Sequence, residues 1–226
     1  MKIGILLSGC GVYDGSEIQE SVLTMLAIEE LGAEYICIGI NQNQHHVINH
    51  ISGDEMHEER NMLIESARIS RGDIVDIKNI QPVDIDALVI PGGFGSAKNL
   101  TTWAFNGADG TILPEVKLLL VNLVNVGKPI AALCVSPVVL AKALEGSKIK
   151  STMTLGSINE KSPYDIQSFA DEIEKTGVKY SMKSIHEIEI DKVNKIISAP
   201  CYMMNATILE IKKNITTAIE ALIKLA

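Results

Sequence analysis

Two kinds of hydrophobic pattern alternate along the chain. Residues 3–7, 35–40, 87–90 and 130–133 are short runs of continuous apolar character. Strands that read this way are covered on both faces, as in a parallel sheet. Between them, apolar residues recur at helical spacing. The first helical stretch opens at Ser16, with Gln19 three residues on at a capping-box spacing. Ile18, Val22, Met25 and Leu26 form its stripe and Gly32 its stop. Further helices are predicted over about 58–69, from Pro114 to Gly127, after Cys134 with Pro137 near the start, over 166–175, and over 207–225. Residues 187–190 and 195–198 flank the turn residues 191–194, which predicts a late β-hairpin.

This order of elements predicts an α/β fold with helices on both faces of a mostly parallel sheet. Right-handed crossovers bring all the strand-to-helix turns to one edge, where ligands of such folds bind. No repeat or linker interrupts the pattern, so residues 1–226 are expected to form one domain. Residues 41–57 stand out as a long polar excursion, a kind of loop that is disproportionately functional or mobile.

Composition narrows the function classes. Acidic residues (28) outnumber Lys and Arg (20), which leaves a net charge of −8 and no basic stripe for nucleic acid. No run of about 18 apolar residues predicts a membrane span. The short apolar run at the start lacks a leader pattern, so a cytosolic protein is expected. Cys10, Cys37, Cys134 and Cys201 form no CxxC pair, so free thiols are expected and no zinc site.

Three turns carry the candidate chemistry. In 129–137 an apolar strand runs directly into Cys134 and a helix follows, the layout of a nucleophile elbow. The helix N-terminus behind the sulfur is expected to lower the thiol pKa. In 87–95 a strand ends in Gly92-Gly93, where backbone N–H groups can approach a ligand; with the N–H of Val135 they form a candidate oxyanion hole. The turn 8–15 after the first strand leads to Glu17 and Glu20. Glu17 suits a dipole-complementing role, and Glu20 suits proton transfer with a cysteine. This turn misses the dinucleotide fingerprint because Asp14 stands at the third glycine position, so no nicotinamide or flavin cofactor is expected. His46 and His50 have a metal-ligand spacing only if helical, and the Asn and Gln residues around them point to a solvated loop instead.

Gly92-Gly93, Cys134 and Glu20 together resemble the PfpI-like superfamily of class I glutamine-amidotransferase-like domains. Longer segments, 8–18, 47–50, 59–69, 91–100 and 199–203, look like the ElbB family across essentially the whole chain. The resemblance implies a flavodoxin-like three-layer sandwich, a homodimer, and a cofactor-independent glyoxalase-type enzyme acting on small dicarbonyls such as methylglyoxal and glyoxal. Family members are also linked to isoprenoid biosynthesis. It makes Cys134 the nucleophile, Glu20 its acidic partner, and Gly93 and Val135 the oxyanion donors. The sequence departs from active amidotransferases at 198–202, where Ser-Ala-Pro-Cys-Tyr stands in place of a His-x-Glu pair. His186 is expected at the surface. Two other readings stay open: a non-catalytic redox sensor built on Cys134, and an amidase or hydrolase completed by a partner subunit. Cys10 and Cys201, at strand ends, are both expected to approach the site.

Overall fold

The computed structural model describes all 226 residues. Seven strands form one sheet: β1 (Lys2–Leu6), β2 (Glu34–Gly39), β3 (Val75–Asp76), β4 (Ala87–Ile90), β5 (Ile130–Leu133), β8 (Glu189–Asp191) and β9 (Ile196–Ala199). Their order is β3-β2-β1-β4-β5-β9-β8, parallel except for β8, which pairs antiparallel with β9 in the predicted hairpin. A separate parallel pair joins β6 (Thr152–Met153) to β7 (Lys179–Tyr180). The helices are α1 (Ile18–Glu30), α2 (Met62–Ile69), α3 (Trp103–Asn106), α4 (Pro114–Asn125), α5 (Pro137–Leu144), α6 (Ile166–Lys175) and α7 (Ile208–Leu225). Helix α1 packs on α7, and α4 packs on α5. The architecture is the flavodoxin-like α/β sandwich that the alternation of patterns predicts.

The central strands β4 and β5 are buried along their whole length, as continuous apolar runs require. Registers Ile5↔Val89, Val89↔Ala131 and Ala132↔Ser198 bring the ends of β1, β4, β5 and β9 to one edge. The chain runs outward from β1 to β3 and then returns to β4 on the other side of β1. A topological switch point therefore opens at the carboxyl ends of β1 and β4.

Several local expectations need correction. Ser16 does not cap α1; its hydroxyl accepts from Ser8 N–H, and the Glu17 carboxylate accepts from Glu20 N–H at 2.6 Å instead. Of the expected stripe Met25 is buried, but Ile18, Val22 and Leu26 are 41–47% exposed, while Glu20, Thr24 and Ile28 are buried on the opposite face. Two backbone donors that hold the Glu20 carboxylate inside the molecule set this rotation, overriding the apolar pattern. Helix α2 begins at Met62 rather than near 58, because Asn61 caps it and pairs with Asn43 in an isolated bridge. Strands β3, β6 and β7 have two residues each, too short for any periodicity to register.

The excursion 41–57 is not simply solvated. It folds back over the turn after β1, where Ile48 N–H donates to buried Asp14 (2.7 Å) and Tyr13 N–H donates to His50 Nε2 (3.2 Å). Gln44 and Val47 are buried in it. His46 and His50 lie in this non-helical segment, and no three His, Cys, Asp or Glu side chains converge in a way that could hold a metal ion.

Candidate active site

Cys134 follows β5 directly and has φ +58°, a left-handed conformation that a non-glycine residue adopts only under constraint. The constraint is visible. Cys134 N–H donates to Ala199 O, Ser136 Oγ donates to Pro91 O at 2.6 Å, and α5 starts at Pro137. Ser136 Oγ also meets Ser96 Oγ at 2.8 Å, which ties the elbow to the turn after β4. The predicted elbow is present.

Glu20 is fully buried at the first turn of α1. Its Oε2 accepts from Gly92 N–H at 2.8 Å and its Oε1 from Tyr202 N–H at 3.1 Å. Its carboxyl group and the N–H groups of Gly93 and Val135 all act on the Cys134 thiol, the first raising its pKa and the other two lowering it. Glu20 from the β1 turn, Gly93 from the β4 turn, and Cys134 and Val135 from the elbow converge as expected; Gly92 does not join the oxyanion donors, because its N–H is committed to Glu20 Oε2. Glu17, as the cap, stands one step outside, and burial raises its pKa.

Burial pushes the Glu20 carboxyl up to about 8, with the Glu17 charge adding to the effect and the two backbone donors opposing it. Glu20 is therefore mostly protonated at neutral pH. The Cys134 thiol is also pushed up, by burial first and then by the Glu20 charge, against the pull of Gly93 and Val135 N–H. The expectation that the helix N-terminus alone would leave a low thiol pKa is thus corrected: desolvation outweighs it. Both groups therefore hold their protons at neutral pH, and the first proton released belongs to the coupled pair rather than to either group alone.

Gly92 shows why glycine stands there. A Cβ at this position would lie 2.3 Å from Cys134 Cβ and 2.4 Å from Glu20 Oε2. Gly92→Ala is expected to cost about 1–3 kcal/mol by overpacking. It should also separate Glu20 from the sulfur, so the pH midpoint of thiol alkylation moves as well as the melting temperature. A variant with wild-type melting and alkylation would show that the close approach is slack.

Of the other cysteines, Cys201 reaches the site and Cys10 does not. Cys201 is buried with φ +45° next to Cys134 and Glu20, and its thiol donates to Asn214 Oδ1 at 3.5 Å. Cys10 does not line the cavity at Cys134; the charges that act on its thiol are those of Glu65, Arg68, Asp14 and Arg60. His186 is exposed, and no histidine acts on Cys134 or Glu20. Sequence reasoning missed Tyr164, which lies in the polar turn before α6. Its signal was slight: one aromatic among Ser162, Pro163 and Asp165 in a chain with few aromatics.

Over the Cys134 sulfur lies a cavity of about 10 Å³ walled by Val12, Phe94, Tyr164, Tyr202 and Met203. That is room for roughly one water, so side chains at its mouth must rotate to admit a ligand. A larger cavity of about 300 Å³, lined by Gln42, His45, Lys98 and Thr102 among others, contains neither thiol nor carboxylate. The chemistry therefore points to the smaller space.

No protein-family model matches the chain. It is 37% identical over 228 residues to a human protein named glutamine amidotransferase-like class 1 domain-containing protein 3, mitochondrial, in a match covering 99% of this chain and 83% of that one. It is 35% identical to the ES1 protein homolog, mitochondrial, of Rattus norvegicus, over 99% of this chain and 84% of the other. A crystal structure of an isoprenoid biosynthesis protein with an amidotransferase-like domain from Ehrlichia chaffeensis superposes with a TM-score of 0.89 at 34% identity, covering 100% of both chains. Drosophila melanogaster DJ-1beta shares the fold, with a TM-score of 0.55 at 17% identity over 100% of this chain and 95% of the other. The human and rat relatives are both named mitochondrial, which overturns the cytosolic expectation. Addresses of this kind reside in targeting segments and leave no mark on a folded core.

Proposed function

Since the chain belongs to the class I glutamine amidotransferase-like family of the ES1 homologues, within the PfpI-like superfamily, we propose that it is a cofactor-independent enzyme that isomerises and hydrates small dicarbonyls to hydroxy acids. The observation that supports this reading is the surrounding of one sulfur by the N–H groups of Gly93 and Val135 and by the Glu20 carboxyl, with no histidine. A glutaminase needs a base to activate the thiol and to protonate a leaving amine. A dicarbonyl has no leaving group, and one carboxyl suffices to move protons between neighbouring carbons.

In this reading the Cys134 thiolate adds to the aldehyde carbon of methylglyoxal, and the N–H groups of Gly93 and Val135 hold the oxyanion of the hemithioacetal. Glu20, protonated at rest, gives its proton to that oxyanion; as a carboxylate it then takes the proton from the same carbon and returns it to the neighbouring one through an enediol. The former aldehyde carbon is oxidised to a thioester and the ketone is reduced to an alcohol, so the redox change is internal. Water cleaves the thioester and releases lactate and the free thiol.

The decisive assay offers purified protein dicarbonyls, amides and thioesters, with the Cys134→Ser variant alongside. Dicarbonyl loss with hydroxy-acid formation in the wild type alone is expected. Ammonia release from glutamine or simple amides, with no action on dicarbonyls, would replace this reading with the amidase. Peroxide oxidation of Cys134 without turnover of any substrate would leave the redox sensor.

A further inference from the structure

The groups around Cys134 share one electrostatic character. Those that act on the Cys134–Glu20 pair are carboxyls and backbone N–H groups, with no Lys, Arg or His among them. A substrate carboxylate placed against the sulfur would lose its hydration beside two carboxyl groups whose own protons burial retains, and would gain no ion pair from either. An uncharged carbonyl compound meets no such penalty.

The cavity that Gly93 and Val135 line is also lined by Tyr164, whose ring stands edge-on to Phe94 with centroids 5.6 Å apart. Two other tyrosines near this end of the molecule have committed hydroxyls, Tyr180 on Gly156 O and Tyr202 on Gln19. The Tyr164 hydroxyl has no acceptor in the protein. Burial and the nearby Cys134 and Glu20 hold its ionisation up at about 12. It is thus a neutral donor across the physiological range.

Resting on the reading above, we propose that Tyr164 is a substrate-orienting residue, its hydroxyl donating to the second carbonyl oxygen of an uncharged dicarbonyl and making the site selective against carboxylate-bearing carbonyls. The aldehyde oxygen faces Gly93 and Val135. The neighbouring oxygen faces Tyr164, which stabilises it as that carbon's carbonyl becomes an enediol.

The test compares wild type, Tyr164→Phe and Tyr164→Ala. Two measurements are made: turnover of methylglyoxal and glyoxylate, and pH-resolved alkylation of Cys134 by iodoacetamide and iodoacetate. Tyr164→Phe should melt like wild type and lose about a hundredfold in kcat/KM for methylglyoxal, with the pH midpoint of alkylation unmoved. Tyr164→Ala reports what the ring packing adds. The wild type should prefer methylglyoxal to glyoxylate, and iodoacetamide to iodoacetate, by at least about tenfold beyond the preference of a free thiol. Unchanged kcat/KM in Tyr164→Phe, or equal turnover of glyoxylate, overturns the proposal. If the wild type turns over no dicarbonyl, the enzymatic reading fails and the alkylation arm decides the role of Tyr164. Slower iodoacetamide reaction in Tyr164→Phe, with the midpoint unmoved, supports the hydroxyl as a carbonyl donor; equal rates remove it.

Discussion

Cys134→Ser is expected to lower dicarbonyl turnover by about 10⁴-fold or more, while the melting temperature stays within a few degrees of wild type. The exchange preserves shape: serine takes the same elbow conformation, and its oxygen still faces the N–H groups of Gly93 and Val135. What it removes is an ionisable nucleophile. A thiol gives up its proton far more readily than an alcohol. Activating serine would need a base, and the site offers only Glu20, which is held mostly protonated below about pH 8. Steady-state kinetics and scanning calorimetry on the pair of proteins check this. If the serine variant retains more than about a hundredth of the activity, covalent attack by Cys134 is not the mechanism.

Glu20→Gln has the second large effect, on both rate and the pH dependence of stability. Turnover should fall by about 10²- to 10⁴-fold, the usual contribution of a positioned proton-transfer group. For stability, the folded-state pKa of Glu20 lies at about 8 against an ordinary 4.5. A carboxyl raised in this way binds its proton in the folded state over a range where the unfolded chain has released it. Its contribution is complete below about pH 4.5 and is lost as pH rises toward 8. Within that window the wild type should lose about 1.4 kcal/mol per pH unit from this group.

The glutamine variant lacks that slope. Its amide offers one acceptor to the N–H groups of Gly92 and Tyr202 where a carboxyl offers two, so at pH 5 it should be less stable by about 1–3 kcal/mol. The deficit should shrink, and then reverse, as pH approaches 8. Urea unfolding of both proteins at pH 5, 6.5 and 8 measures it. Parallel stability curves for the two proteins would show that Glu20 is ionised in the folded state.

Much of this site is legible without coordinates, because its parts are marked by local chemistry. An apolar run ending in cysteine with a helix directly behind it can form few structures other than an elbow. Two glycines at a strand end signal a close approach, and Gly92 sits where any Cβ would collide with the thiol. Strand type, helix order and the hairpin at 191–194 follow from pattern length and turn residues alone.

Other features arise only when distant segments meet. The pattern of α1 suggested an inward face of Ile18, Val22, Met25 and Leu26, yet Gly92 and Tyr202 supply two N–H groups to an inward-turned Glu20, and of that stripe only Met25 is buried. The helix N-terminus suggested an acidic thiol, yet complete burial beside a carboxyl raises it. Cys10 and Cys201 looked equivalent as strand-end thiols, yet Glu65 and Arg68 act on the first and Glu20 and Cys134 on the second. The sequence by itself therefore determined the sheet, the order of its helices and which residues stand at its carboxyl edge, since these depend on neighbours within a few positions. Only the tertiary structure decided which way Glu20 and the thiols point, how their protons are shared and that Tyr164 closes the cavity, because burial and partners from 72 and 182 residues away set those energies.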